Sequence, residues 1–282
     1  MLSLIRQYHP LTGDPFWQDE SYWELAPCDA LKPYIRCFWG SLHPVGPAIA
    51  RSPANPGLVI PDTCMDIIFD INYTQNRFSQ AFCTLDERSY RTSGEASREV
   101  TGTFAIRFYA WTASLFADLD FTGLKNQAMD ASIPFRRLTA QLSPILFDKP
   151  TLAGKAAVAE AWLLHALEKI RPDADLLNAV HTLLKTSGRA RIHDLCDYAA
   201  ISQRKLERLF QRHMGISPKS FATLARYQLL WQDLAAHPGL NLLDAVEQYG
   251  YTDQAHLLHD FRQKHLMTPA EALQYACHAH FE

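Results

Sequence analysis

The stretch Ile192-His193-Asp194-Leu195-Cys196-Asp197-Tyr198-Ala199-Ala200-Ile201-Ser202-Gln203-Arg204-Lys205-Leu206-Glu207-Arg208-Leu209-Phe210 decides the fold, because its apolar residues fall on two short helical faces split by a tight turn. Ile192, Leu195 and Ala199 make the first face, and Leu206, Leu209 and Phe210 make the second. Ser202, in the turn, suits an N-cap: its hydroxyl can accept from a backbone N–H that has no partner inside the helix. The pattern returns downstream. Leu242, Val246 and Tyr249 precede Gly250-Tyr251-Thr252, and Leu257 and Phe261 follow. Thr252 is read as the second N-cap, and Gly250 as a turn residue that needs positive φ. Cys196 and Val246 stand 50 residues apart, as do Ser202 and Thr252, whereas Leu206/Leu257 and Phe210/Phe261 stand 51 apart. The second copy therefore gains one residue at the start of its last helix. One helical hairpin is common in bundles; two at matched spacing predict a repeated helix-turn-helix, whose second helix enters the DNA major groove.

Working outward, the punctuation stays helical. A helix from about Asp175 to Lys185 stops at Ser187-Gly188. Ser217-Pro218 opens a long helix to Ala236, ended by His237-Pro238-Gly239, and Thr268-Pro269-Ala270-Glu271 has the form of a capping box. Upstream, Leu152, Ala156, Ala159, Leu163, Ala166 and Ile170 repeat at 4-3-4-3-4, widened by Trp162 and Leu167. Such a seam fits either a helix packed on its own domain or one that pairs with a second copy of the chain. Residues 111–147 read as short helices interrupted by Pro134 and Pro144. Residues 1–110 read as β-rich: prolines cluster (Pro44, Pro47, Pro53, Pro56, Pro61), and Leu58-Val59-Ile60, Ile67-Ile68-Phe69 and Thr103–Tyr109 are strand-like. The early aromatics Trp17, Tyr22, Trp23, Tyr34 and Trp39 are core or pocket wall.

At 282 residues, with 48% hydrophobic and 20% charged residues, the chain is globular and long enough for two domains. No apolar run has transmembrane length, the N-terminus lacks the pattern of a signal peptide, and the six cysteines form no CxxC pair, so a cytoplasmic protein with reduced thiols is expected. The net charge of −3 hides its distribution. Between Lys185 and Arg226, nine basic residues face three acids, a +6 segment; from Asp233 onward, two basic residues face seven acids, a −5 segment. A phosphate backbone would meet the first of these.

The run from Ser202 through Gly215-Ile216-Ser217-Pro218, together with Tyr249-Gly250-Tyr251-Thr252-Asp253-Gln254-Ala255-His256, Phe261-Arg262 and Met267-Thr268-Pro269, resembles the AraC/XylS family of bacterial transcription regulators over roughly residues 175–275. Leu25-Ala26-Pro27, Phe38-Trp39, Ile60–Phe69 and Ile106-Arg107-Phe108 are similar to an uncharacterised sensor-type domain often fused to such readers. The chain departs from the family pattern at Leu266, where a glycine is usual, at Cys196 and Val246, where small residues are usual, and at His259, where an arginine is frequent.

The expected fold class is α+β: a β-rich N-terminal domain (1–148), a connecting helix (149–171) and an all-α reader (172–282). The resemblance implies a cupin-like barrel for the first. In the first unit Ser202, Gln203, Arg204, Lys205, Glu207, Arg208, Gln211 and Arg212 are the expected DNA contacts. Arg208 suits a bidentate guanine contact and Glu207 suits cytosine, with Lys205, Arg212 and Lys219 on phosphates. In the second unit the corresponding set is Thr252, Asp253, Gln254, Ala255, His256, His259, Arg262 and Lys264, the last two on phosphates. Trp39, Asp66 and Arg107 are the candidate effector contacts. No catalytic or metal site and no cofactor is expected: there is no glycine-rich phosphate loop, GxSxG or metal-ligand series. The expected partners are operator double-stranded DNA, a small-molecule effector, a second copy of the chain and RNA polymerase, with no membrane. The rival readings are a helical protein–protein interaction module and a thiol- or metal-based sensor regulator, the latter raised by Cys37, Cys64, Cys277 and the late histidines His256, His259, His278 and His280.

Overall fold

Strand-forming residues between early turns build the N-terminal half of the computed structural model, which describes residues 8–16, 18–46, 57–91 and 99–278. Trp17, Pro47, Pro53, Pro56 and His280 lie outside the described residues. In chain order the strands are β1 (Trp23–Leu25), β2 (Ile35–Gly40), β3 (Leu58–Val59), β4 (Cys64–Asn72), β5 (Arg77–Cys83), β6 (Tyr90–Arg91), β7 (Thr101–Tyr109) and β8 (Ala128–Asp130). Six of them form one antiparallel sheet in the order β1-β2-β7-β4-β5-β8, and β3 pairs with β6 as a separate ribbon. The period of two on β4 sends Met65, Ile67, Phe69 and Ile71 into the core and puts Cys64, Asp66 and Ile68 on the opposite face. That second face looks toward the ribbon, and a cavity lies between them.

A four-residue helix, α1 (Ala110–Ala113), follows β7, and α2 (Arg136–Leu146) follows β8. Pro144 sits inside α2 rather than interrupting it. So close to the helix end, a proline forfeits one backbone bond, to the carbonyl four residues earlier, without stopping a turn that is already finishing. Residues 128–130, expected in a helical region, pair with β5 instead. The seam helix is α3 (Leu152–Leu167), capped by Thr151, which accepts from the Gly154 N–H at 3.1 Å. Its Leu152, Ala156, Ala159 and Leu163 are buried against α2, β2 and β7, so the seam is covered by its own chain.

Seven helices complete the described chain: α4 (Ala174–Lys185), α5 (Ile192–Ala199), α6 (Gln203–Met214), α7 (Pro218–Ala236), α8 (Leu242–Tyr249), α9 (Gln254–His265) and α10 (Pro269–His278). Ser217 caps α7 by accepting from the Ser220 N–H at 3.0 Å. The capping box of α10 closes both ways: Glu271 N–H donates to Thr268 Oγ1 at 3.2 Å, and Thr268 N–H donates to Glu271 Oε2 at 2.7 Å. Among the described residues no helix is long and apolar enough to cross a membrane.

The two halves share one hydrophobic core. Trp111 of α1 meets Phe221 of α7 edge-on at 5.9 Å, and the Phe121 N–H donates to the Arg212 carbonyl at 2.8 Å. Gly215 packs so closely that a Cβ there would lie 2.1 Å from the Leu124 carbonyl oxygen.

Candidate DNA interface and ligand cavity

The sequence repeat is a structural repeat. Helices α5 and α8 run over eight residues each, 50 positions apart, and end on left-handed residues, Ala200 at φ 50° and Gly250 at φ 66°. Helices α6 and α9 run over twelve residues each, 51 positions apart, and also end on left-handed residues, Gly215 at φ 71° and Leu266 at φ 60°. The extra residue of the second copy lies in the turn, and this corrects its cap. Ser202 caps α6 as expected, accepting from Lys205 N–H at 3.2 Å, but Asp253, not Thr252, caps α9, accepting from His256 N–H at 2.7 Å. A carboxylate also complements the positive end of the helix dipole, so Asp253 wins over the threonine before it. The matched positions are thus Gln203/Gln254, Arg204/Ala255, Arg208/His259 and Gln211/Arg262.

On α6, Leu206, Leu209, Phe210 and Met214 are buried, which turns Gln203, Arg204, Arg208 and Arg212 outward. The three arginines recur every fourth residue along one stripe. Glu207 and Gln211 are half-buried beside them. Lys205 already has a carboxylate, with its Nζ 2.6 Å from Asp175 Oδ2. Lys219, in the first turn of α7, is exposed.

On the second unit Thr252, Asp253, Gln254, Ala255, His256, His259 and Arg262 are all exposed. The His256 ring is held by the turn, its Nδ1 3.3 Å from Thr252 N and 3.1 Å from Thr252 Oγ1, edge-on to Tyr251. Lys264 is a correction. Expected on a phosphate, it is buried and ion-paired with Asp260, to whose other oxygen Tyr251 donates at 3.0 Å. The one-residue offset explains this, because Lys264 occupies the position of His213, on the inward side of its helix.

The three candidate effector contacts, scattered over 69 residues of sequence, line one cavity of about 310 Å³. Asp66 and Arg107 are cross-strand partners on β4 and β7. Asp66 accepts from Trp39 Nε1 at 2.8 Å and from Arg107 at 3.3 Å, while Asp62 takes the other arm of the guanidinium. Burial raises both carboxyls and the Arg107 charge pulls them back; burial also works against Arg107, but the two carboxylates hold its pKa above the ordinary value. Tyr22, one of the early aromatics, is pocket wall as expected, whereas sequence reading missed Asp62 as the second partner and missed Asp86 and Tyr90, which also line the cavity. Cys64 and Cys83 line it too, but burial pushes their thiols up, Cys83 to about 12, so neither is a ready thiolate.

One residue that sequence reading passed over joins cavity to reader. Gln228, fully buried in the middle of α7, accepts from the Leu11 N–H at 2.9 Å and donates to the carbonyls of Leu11 at 3.2 Å and Pro61 at 2.9 Å. Trp231, one turn on, donates to the Thr12 carbonyl at 3.0 Å. Thr12 and Asp62 are cavity residues. An amide amid Leu224, Ala225, Leu230 and Trp231 was the available signal, since a buried polar group needs a partner. A second junction is formed by Ser89 Oγ, which donates to the Lys264 carbonyl at the end of α9.

Residues 195–275 match the family model described as a helix-turn-helix domain, and residues 23–130 match a domain of unknown function (DUF6597). No curated protein matches the chain. Similar solved structures include an AraC-type transcriptional regulator of Chromobacterium violaceum (22% identity, 36% of this chain and 91% of that one, TM-score 0.34). Others are a probable AraC family regulator of Rhodopseudomonas palustris (25%, 37% and 98%, 0.33) and ToxT of Vibrio cholerae (14%, 79% and 94%, 0.40). With the repeat at its C-terminal end, the chain carries an AraC-type helix-turn-helix domain behind a domain of unknown function.

Proposed function

We propose that this regulator reads its operator mainly with α6 and that a small molecule in the Arg107 cavity sets how well it does so. The observation that carries the reading is the structural repeat, in which two helices of equal length, each capped at its N-terminus, present their first turns to solvent. Those are the turns that a helix-turn-helix offers to base edges. Gln203, Arg204, Glu207, Arg208 and Gln211 form the reading face of the first unit, and Arg208 has the bidentate fork that suits guanine. Arg212, Lys219 and, once released from Asp175, Lys205 neutralise phosphates. In the second unit Gln254, Ala255, His256 and His259 meet bases and Arg262 meets a phosphate.

Residues 1–148 then act as the sensor, 149–171 as the connecting helix and 172–282 as the reader. The effector response is supported by the joints at Gln228 and Ser89. A ligand that moves Pro61 or the segment carrying Asp86 and Tyr90 strains hydrogen bonds made to α7 and α9, and only such a difference between states can shift an equilibrium.

Selection of bound sites from a random DNA library by the full chain tests the reading. Enriched sites whose binding falls steeply with salt are the expected result, and paired half-sites would identify a dimeric reader. No enrichment and no binding at low salt would leave the helical pair as a protein-interaction module.

A further inference from the structure

The cavity carries charge of one sign in excess. Three carboxyls, of Asp62, Asp66 and Asp86, face a single guanidinium, that of Arg107. Arg107 is fully engaged by the first two. Among the described residues no group donates a hydrogen bond to Asp86 or ion-pairs with it, and burial together with the charges of Asp62 and Asp66 raises its pKa to about 6. An ionised carboxylate is therefore held half-buried beside two others, at a cost to the fold that a bound cation would relieve.

The walls suit the same guest. Tyr22 gives its hydroxyl hydrogen to Glu24 at 2.9 Å, and Trp39 gives its indole hydrogen to Asp66. With those hydrogens spent, the two rings line the cavity as aromatic surface; Tyr90 lines it too, and Leu58, Ile60 and Ile68 supply aliphatic area. A cation over an aromatic face is attracted by the ring quadrupole, and the attraction is strongest where water is displaced. An anion would find no free positive group, because Arg107 is already balanced. The cavity volume is at the lower end for small-ligand pockets, which limits the guest to a compact molecule.

We infer that the cavity binds a small organic cation, a protonated amine with an apolar or aromatic body, whose ammonium is met by Asp86 and whose body lies against Trp39, Tyr22 and Tyr90. The inference rests on the proposed sensor role of the cavity and names its ligand class. The binding step is independent of DNA.

The test is a thermal-shift and calorimetric series on the full chain with three matched sets: hexylamine and 2-phenylethylamine, hexan-1-ol and 2-phenylethanol, and hexanoate and 3-phenylpropionate. The amines are expected to raise the unfolding midpoint with saturation, and the alcohols and carboxylates to leave it within error. Asp86→Asn is expected to weaken amine binding at least tenfold, while Asp86→Glu keeps part of it. Equal stabilisation by alcohols or carboxylates, unchanged amine binding in Asp86→Asn, or no stabilisation by either amine at millimolar concentration would each overturn the inference. A chain that selects DNA sites yet fails this series loses only the ligand class. A chain that binds amines yet selects no DNA loses the regulator reading instead.

Discussion

The two helix-turn-helix units share helix lengths and left-handed helix ends, yet they present different chemistry to solvent. The outward stripe of α6 carries Arg204, Arg208 and Arg212; the matching positions of α9 carry Ala255, His259 and Gln263. Of the basic residues on α9 Arg262 is exposed, but Lys264 is buried against Asp260, and His265 is buried, stacked on Phe261 and kept uncharged by burial, which lowers its pKa to about 3. Charge at equivalent positions is thus a poor guide to equivalent roles until burial is known. On the proposed reading, the +6 segment supplies most of the attraction to phosphate, and α9, in the acidic segment, relies more on shape and hydrogen bonds.

The largest expected effect tests whether Lys264 belongs to the fold or to DNA. Lys264→Met leaves Asp260 buried without its cation and is expected to cost about 3–5 kcal/mol in urea denaturation, with DNA affinity and salt slope of the folded fraction unchanged. Adding Asp260→Leu should restore much of the loss. A reduced salt slope without loss of stability would instead place Lys264 on a phosphate.

The helix ends break the symmetry next. Gly215→Ala strains a left-handed position and drives a methyl into the Leu124 carbonyl, so a loss of more than about 2 kcal/mol is expected, read as a lowered unfolding midpoint. At the matching position Leu266 is half-exposed and already pays for its left-handed backbone, so Leu266→Gly should stabilise by about 1 kcal/mol. On DNA, Arg208→Ala should cost about 1–3 kcal/mol on the selected site and relax discrimination at one base pair. Equal losses on random DNA would count against base reading. The smallest effect is His259→Ala, expected below about 1 kcal/mol on the selected site, because it removes at most one hydrogen bond from an exposed side chain.

How much of this was legible follows the range of each interaction. Ser202, Ser217 and the Thr268/Glu271 box act within one helical turn, so their residue types announced them. The displaced cap at Asp253 was nearly legible: the 51-residue offset of the buried leucines was visible, but Thr252 stood at the offset of 50. The α3 seam gave the right periodicity without saying what covers it, because β2, β7 and α2 reach it only through tertiary packing. The cavity set was half-legible. Trp39, Asp66 and Arg107 stood out as polar or aromatic residues in strand-like runs, whereas Asp62 and Asp86 lie in the segments just before β4 and just after β5, where no strand pattern says which way they turn. The docking of reader on sensor was invisible except for one misplaced amide, Gln228.

That amide bears on which C-terminal halves this N-terminal half can accept. Without Gln228, the Leu11 N–H and the Pro61 carbonyl it satisfies have no partner from α7, and without Gly215 the loop at Leu124 meets a side chain. A foreign reader grafted after the connecting helix therefore inherits two entry requirements that have nothing to do with DNA: an amide in the middle of its long helix and a glycine after its first recognition helix. Chimaeras that keep both should express and fold. Those that lack either should fail before any operator is tested.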